Sequence, residues 1–289
     1  MKKVICGVWS EECGVRLLRP LVLPLLVFSF LFPLSSFLAP LRAQSDDFGL
    51  DFTLEAQKKL SKSWSIGLEG ELRTRDNTKT VDRWSLGLGL DWKVAKWLKA
   101  SAGYTLLFDN NERITYFEDL DDEVLDGDAD AGDPKKCAKY WGTRHRFNVS
   151  LTFDKKLFGD FRFSLRERWQ YTWRPEYTVD ERWSYLKNDY DGKPKTYDGK
   201  GKNVLRSRLQ VEYDKKGLAV TPYANVEFFN AWSLQKTRFQ LGLDWKLSKQ
   251  HTLGAFYRYQ YVRNDDDDLE PNRHLIGVSY TFRIFPCCH

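Results

Sequence analysis

Arginines stand at alternate positions in three neighbouring segments of the sequence, and they are its strongest chemical signal. If these segments are β-strands, side chains two residues apart point to the same face, so the guanidinium groups share one surface. A guanidinium is planar, permanently charged and well matched to carboxylate, sulfate or phosphate. The spacing predicts an anion-attracting wall, comparable to the charged rings that tune channel selectivity, with a small anionic solute as its partner. This predicted wall consists of Arg146, Arg162, Arg166, Arg168, Arg206 and Arg208.

Acidic residues at the same kind of position permit a second interpretation of the arginines. The predicted counter-charges are Glu69, Glu71 and Glu227, and Asp51 and Glu55 occupy equivalent positions in the first segment. A narrow interior filled by such side chains would hold the arginines in a structural network of ion pairs. The sequence leaves both interpretations open, a selectivity wall and a structural network.

Other reactive residues give little support to catalysis. His145, Asn148 and Ser150 share one segment and Ser207 lies two segments later. These are the residue types of a phospholipase-like hydrolase, but no local motif ties them together. The chain contains no HExxH, no paired CxxC and no Gly-rich phosphate loop between a strand and a helix. We therefore predict a non-enzymatic protein without a cofactor, with the hydrolase as the alternative.

An acidic stretch between two of the segments has part of a calcium-loop spacing. Asp126, Asp128 and Asp130 match the first three ligand positions. Ala131 stands where such a loop needs Gly, however, and Cys137 stands where it needs the bidentate Glu. We predict a solvated loop and no metal site.

The elements that would position these side chains alternate strictly between apolar and polar residues for about ten positions. In the segment 238–247, one face carries Phe239, Leu241, Leu243, Trp245 and Leu247. The alternation predicts an all-β fold, an antiparallel up-and-down transmembrane β-barrel of ten to twelve strands, with twelve favoured because bacterial single-chain barrels have even counts. The predicted strands are 48–60, 64–75, 83–93, 97–109, 141–154, 160–173, 203–214, 218–230, 236–247, 252–263 and 273–285.

The connections between the predicted strands alternate in length. Short Lys-rich turns alternate with longer segments, and barrels of this class have short periplasmic turns and longer outer loops. The long connections 110–140 and 174–202 leave a third function open, a surface-binding protein acting through its outer loops. The predicted longer segments are 76–82, 110–140, 174–202, 231–235 and 264–272.

The N-terminus has the layout of an export signal. An apolar run at 21–38 follows basic residues and precedes a small-residue site that ends at Ala43. We predict a signal peptide over 1–43 and a barrel domain over 44–289, in preference to a transmembrane anchor, because prolines interrupt the run. Export of a barrel predicts the outer membrane and its lipid as partner, with aromatic girdles formed from the 15% aromatic residues. Most of the net charge of +5 lies in the signal, which argues against nucleic-acid binding.

The last predicted strand resembles an assembly signal. Gly277-x-x-Tyr280-x-Phe282 resembles the C-terminal motif that the barrel-assembly machinery recognises, which would make that machinery a partner. The sequence departs from the motif at Leu275, where a polar residue is usual, and in the four residues that follow Phe285.

Several runs resemble one family over nearly the whole mature chain. They are LEAQKKL (54–60), WSIGLEGELRTRDN (64–77), RHRF (144–147) and LRSRL (205–209). The chain is similar in these runs to the family catalogued as domain of unknown function 2490, whose members are outer-membrane barrels of Gram-negative bacteria. The resemblance implies fold and location, and it implies no activity.

Overall fold

The computed structural model describes residues 46–118, 130–263 and 271–285. The predicted signal peptide, and Asp126 and Asp128 of the calcium-like spacing, lie outside the described residues. No helix in the described ranges is long and apolar enough to cross a membrane.

Eleven long strands and four strands of three residues make up the described secondary structure. In chain order they are β1 (Asp47–Lys59), β2 (Trp64–Arg75), β3 (Thr80–Ala95), β4 (Leu98–Tyr116), β5 (Pro134–Lys156), β6 (Phe161–Arg174), β7 (Tyr177–Val179), β8 (Arg182–Ser184), β9 (Asp189–Asp191), β10 (Lys195–Tyr197), β11 (Lys200–Tyr213), β12 (Val220–Ala231), β13 (Ser233–Lys246), β14 (His251–Val262) and β15 (Arg273–Ile284).

The eleven long strands form one closed wall. Strands that follow one another along the chain pair in antiparallel fashion, and β11 pairs with β6 across the segment that holds the four short strands. The predicted all-β barrel of ten to twelve strands is confirmed, with eleven strands. Ten of the eleven predicted strands agree with the structure to within three residues at their starts, and the exception is β5, which begins seven residues earlier.

The wall closes through a parallel pair. β1 pairs with β15 from Asp47 opposite Arg273 to Lys58 opposite Ile284. In an up-and-down barrel an odd number of strands leaves the first and last strand pointing the same way, so their pairing must be parallel. The preference for twelve strands is not met, because β1 pairs with β15 directly and no further strand stands between them in the described chain.

The polarity of the two faces of the wall is the reverse of that in a soluble protein, because apolar side chains point outward and polar side chains point inward. Outward-facing Leu54 and Leu241 are 65% and 62% exposed, whereas inward-facing Asp51 and Gln260 are each 1% exposed. An apolar outer surface of this kind is stable in hydrocarbon and costly in water. The mean hydropathy of −0.55 conceals this arrangement because each strand averages a polar and an apolar face.

Stacked aromatic pairs lie near both ends of the wall. At one end Trp64 stacks on Trp92, with ring centroids 5.5 Å apart, and at the other Trp84 stacks on Phe108 at 3.8 Å. These are the two girdles expected where a barrel meets the membrane interfaces.

The connections define two rims. The turn rim carries the connections 60–63, 96–97, 157–160, 214–219 and 247–250. The loop rim carries 76–79, 175–199 and 232, together with the described ends of two further connections, 117–118 with 130–133 and 263 with 271–272. Two connections predicted to be long, 76–82 and 231–235, are tight turns. Asp76, Asn77 and Trp232 adopt left-handed φ values of 55°, 55° and 68°, which lets the chain reverse in few residues. The length asymmetry therefore rests on three connections.

A small side chain at Gly277 is required by the packing inside the barrel. The ring of Phe256 on β14 lies over Gly277 on β15, where an added Cβ would overlap it. We expect Gly277→Ala to lower the temperature at which the detergent-solubilised barrel loses its compact, unboiled gel mobility, because overpacking costs about 1–3 kcal/mol.

Gly70→Ala is the matched control, since a Cβ on Gly70 meets no atom within 4 Å. Adding Phe256→Leu to Gly277→Ala should restore part of the loss. Equal melting of the Gly277 and Gly70 variants would contradict the packing.

Candidate functional site in the lumen

Three adjacent strands bring the predicted arginine wall together. The side chains of Arg146 on β5, Arg166 and Arg168 on β6, and Arg206 and Arg208 on β11 all occupy inward positions, alternating with exposed outward residues. Arg168 stands directly opposite Arg206, and Arg166 directly opposite Arg208. We call these four residues the arginine square.

One carboxylate lies within the arginine square. Glu227 of β12 is 6% exposed. Arg166 donates through Nη2 to its Oε1 at 2.8 Å, and Arg206 donates through Nη2 to its Oε2 at 2.9 Å. Each carboxylate oxygen of Glu227 is therefore bound by a different arginine, and the two arginines are diagonal members of the square.

The square carries more positive charge than its surroundings neutralise. Arg168 and Arg208, the other diagonal pair, form no ion pair with any residue that the structure describes, and the same holds for Arg146. Like charges directly opposite each other on adjacent strands repel. This part of the lumen wall therefore has more guanidinium groups than carboxylates paired with them in the described chain.

Arg206 has supports besides Glu227. It donates through Nη1 to Oε1 of Gln170 at 3.0 Å, and its guanidinium lies 4.5 Å from the ring centroid of Phe229. Arg238 of β13 lies 4.6 Å from the same ring and donates to Oε1 of Gln260. Phe229, an inward aromatic residue that the sequence pattern did not single out, thus holds two guanidinium groups by cation–π contact.

Arg162, the sixth predicted member, lies apart at the turn rim. Its guanidinium is 3.3 Å from Asp154 and 3.9 Å from Asp214. Asp214 also binds Lys156 at 3.1 Å, and this hydrogen bond lowers the pKa of Asp214 from its usual value. Arg162 therefore belongs to a solvated rim cluster.

The remaining lumen contains the ion-pair network that the sequence offered as an alternative. Asp51 accepts from Arg73 at 3.3 Å and from Arg258 at 2.9 Å, and Glu71 binds Arg73 at 2.7 Å. A second cluster places Asp109 between Arg83 and Arg144. We call these residues the balanced network. Glu69 faces inward beside it and forms no ion pair among the described residues.

The residues of the alternative hydrolase are not brought together. His145 faces outward, with Nδ1 2.8 Å from the Tyr104 hydroxyl, whereas Asn148 and Ser150 face the lumen. Ser207 also faces outward and donates to Glu167 at 2.7 Å. The other described histidines, His251 and His274, also contact tyrosine hydroxyls, so the three histidines belong to the interface girdles.

Metal ligands are not clustered in the described ranges. No group of three His, Cys, Asp or Glu side chains there has a metal-binding arrangement. Asp130, the described member of the calcium-like spacing, lies in the turn before β5.

The long connections build a packed platform beyond the loop rim. The ring of Tyr140 on β5 stacks on Tyr177 at 4.7 Å and on Tyr197 at 5.9 Å, and Arg113 lies 5.0 Å from the Tyr197 ring. Lys136 of β5 pairs with Asp191 of β9. β4 and β5 thus continue past the wall as a projecting hairpin, to which β7–β10 are attached.

Comparison with known proteins finds one family and several similar solved structures. A family model described as "Protein of unknown function (DUF2490)" matches residues 48–270. Similar solved structures include the beta domain of the Bordetella autotransporter BrkA, with 14% identity over 77% of this chain and 82% of that one and a TM-score of 0.45. The NanC porin has 16% identity over 83% and 100%, with a TM-score of 0.41. The translocator domain of the autotransporter NalP from Neisseria meningitidis has 12% identity over 71% of each chain, with a TM-score of 0.42.

These identities and TM-scores are too low to transfer a solute or an activity. No curated protein matches the chain significantly.

The balanced network generates a stability prediction. Asp51→Asn should lower the melting temperature of the detergent-solubilised barrel clearly, because it leaves Arg73 and Arg258 without their shared partner. Removing one member of a buried ion pair costs about 3–5 kcal/mol where water is excluded, and less in a wet lumen. Glu55→Gln is the control, since among the described residues Glu55 accepts from the uncharged side chains of Gln57 and Thr281 and forms no ion pair. If the balanced network does not contribute to stability, both variants will have the same melting temperature.

Proposed function

The chain belongs to the DUF2490 family, and from that premise we propose that it is a narrow outer-membrane channel that prefers small anions. The arginine square carries the proposal, because it places four guanidinium groups at the wall of a polar lumen and one carboxylate, Glu227, pairs with two of them. A single-sign charged constriction with low-dielectric walls concentrates ions of the opposite sign.

A narrow passage is supported by the filling of the lumen. Inward-facing Leu107, Leu275, Asp51 and Gln260 are almost completely buried. Barrels of about this size have interiors that side chains can largely fill. The passage left beside the arginine square would therefore admit small hydrated solutes and exclude bulky ones.

Location and assembly are parts of the same proposal. The apolar outward face and its two girdles favour a contact with outer-membrane lipid, to which an N-terminal signal would deliver the chain. Tyr280 and Phe282 lie on the outward face of β15, opposite Leu54 and Ala56 of β1. In this proposal the barrel-assembly machinery reads that strand.

A surface-binding role is the second candidate. The observation that favours it is the packed platform of Tyr140, Tyr177 and Tyr197 beyond the loop rim, which is more ordered than a solvated loop requires. The hydrolase is disfavoured because His145 and Ser150 lie on opposite faces of the wall.

The channel is tested by conductance in planar bilayers under a salt gradient. Replacing Arg168 and Arg208 together with Gln removes two charges and breaks no ion pair of the described chain. We expect the reversal potential to shift toward cation preference, since one charge at about 4 Å is worth roughly 1 kcal/mol even in water. Stability should be unchanged or higher, because two cross-strand repulsions are removed.

Arg283→Gln is the control, because Arg283 donates to Thr252 near the turn rim and lies far from the square in register. A purified native barrel with no conductance would overturn the channel, and an unaltered ion preference in the double variant would remove the square from it.

Orientation is tested with inserted epitope tags. A tag after Gly132, at the loop rim, should be labelled on intact cells, and a tag after Gly159, at the turn rim, only after the outer membrane is permeabilised. The reason is that barrels of this class keep their short turns in the periplasm. The opposite labelling would invert the topology.

A further inference from the structure

We propose, building on the proposed anion channel, that the arginine square is a saturable oxyanion-binding site and that Glu227 is its internal, displaceable ligand. The site would bind carboxylate, sulfate or phosphate groups that offer two oxygens. Glu227 would then set the affinity of the site, because any entering oxyanion must compete with its carboxylate.

The dimensions of the square suit such a group. Directly opposed residues on adjacent strands have Cβ atoms about 4.5–5.5 Å apart, and residues two apart along a strand are separated by about 6.8 Å. Four long, flexible side chains that start from such a rectangle can converge on one tetrahedral or planar oxyanion. Arginine presents two parallel donors to such a group, which a single-atom anion such as chloride cannot match.

Glu227 shows which chemistry the site accepts. Its two oxygens bind Arg166 at 2.8 Å and Arg206 at 2.9 Å, so a carboxylate already occupies one diagonal of the square. In register Glu227 stands beside Arg208 on one side and Arg238 on the other. Its carboxylate nevertheless reaches past β11 to Arg166 on β6, so it extends over the square instead of pairing with its nearest neighbours.

One corner of the square, Arg206, would keep its position after Glu227 leaves. Arg206 remains held by Gln170 and by the ring of Phe229, as described above. A donor that keeps its position without the internal ligand is preorganised for an external one, which lowers the cost of binding. Arg168 and Arg208 add two charges that no described carboxylate pairs, so an anion of charge −2 gains more from the square than the single charge of Glu227.

The test is calorimetric binding of sulfate and of inorganic phosphate to the detergent-solubilised barrel. We expect saturable binding to the native protein and about tenfold tighter binding to Glu227→Gln. A tenfold gain corresponds to a site that Glu227 occupies about nine-tenths of the time in the native protein. Glu69→Gln is the matched control, because it removes the same lumen charge without releasing an arginine. The variant carrying both Arg168→Gln and Arg208→Gln should lose the binding.

Glu227→Asp covers the case in which Glu227→Gln does not assemble. Its shortened side chain keeps the charge but cannot span to Arg166, so we expect tighter sulfate binding than in the native barrel. Equal tightening in Glu227→Gln and Glu69→Gln would overturn the internal-ligand role and leave only a general field effect.

Binding and conductance can fail separately. A native barrel that conducts anions but shows no saturable sulfate or phosphate binding overturns the site and leaves the channel standing. Binding that tightens in Glu227→Gln without any conductance supports the site and overturns the channel.

Discussion

Closure of the wall is the constraint on which the rest of the molecule depends. A strand edge in hydrocarbon would leave its N–H and C=O groups without partners, at several kcal/mol for each group, so a membrane-spanning sheet must close. Eleven up-and-down strands satisfy this only through a parallel seam between β1 and β15. The seam also sets the lumen contacts, because Arg258 of β14 reaches across β15 to Asp51 of β1. Without closure Asp51 would lose Arg258, its partner across the seam.

The lumen is divided by charge balance. In the balanced network each carboxylate has at least one arginine, and Asp51 and Arg73 are nearly excluded from water, so this half stiffens and fills the barrel. The arginine square has the opposite character. Two unit charges at about 4 Å repel by roughly 1 kcal/mol in water and roughly 4 kcal/mol at an effective dielectric constant of 20. Two opposed arginine pairs are therefore tolerable only where Glu227, water or another anion screens the repulsion.

Side-chain alternation determines much of what the sequence can predict. It gave β2 as 64–75, identical to Trp64–Arg75, and it assigned every member of the arginine wall to the inward face. The early start of β5 was missed because residues such as Ala138 and Tyr140 lie in the projecting hairpin, pack within the platform and lose the alternation. The tight turn at Trp232 was missed because tryptophan rarely adopts a left-handed conformation. The turn at Asp76 and Asn77 could have been predicted, since Asp and Asn adopt that conformation more readily than other residues with a side chain. Alternation also does not determine which strands pair. The parallel pairing of β1 with β15 and the contact of Glu227 with Arg166 across β11 could therefore be seen only in the structure.

The arginine wall also has a consequence for folding that is independent of any solute. Because the side-chain period of a strand is two, a slip of one residue in register turns every inward side chain toward the lipid. An arginine at the bilayer midplane costs about 2–4 kcal/mol. Arg166 and Arg168 on β6 would move together, as would Arg206 and Arg208 on β11, so a slip of either strand is opposed by roughly twice that amount. The charges of the arginine wall therefore also help to fix the register that holds them in the lumen. Glutamine is still polar and keeps part of that discrimination when the charge is removed.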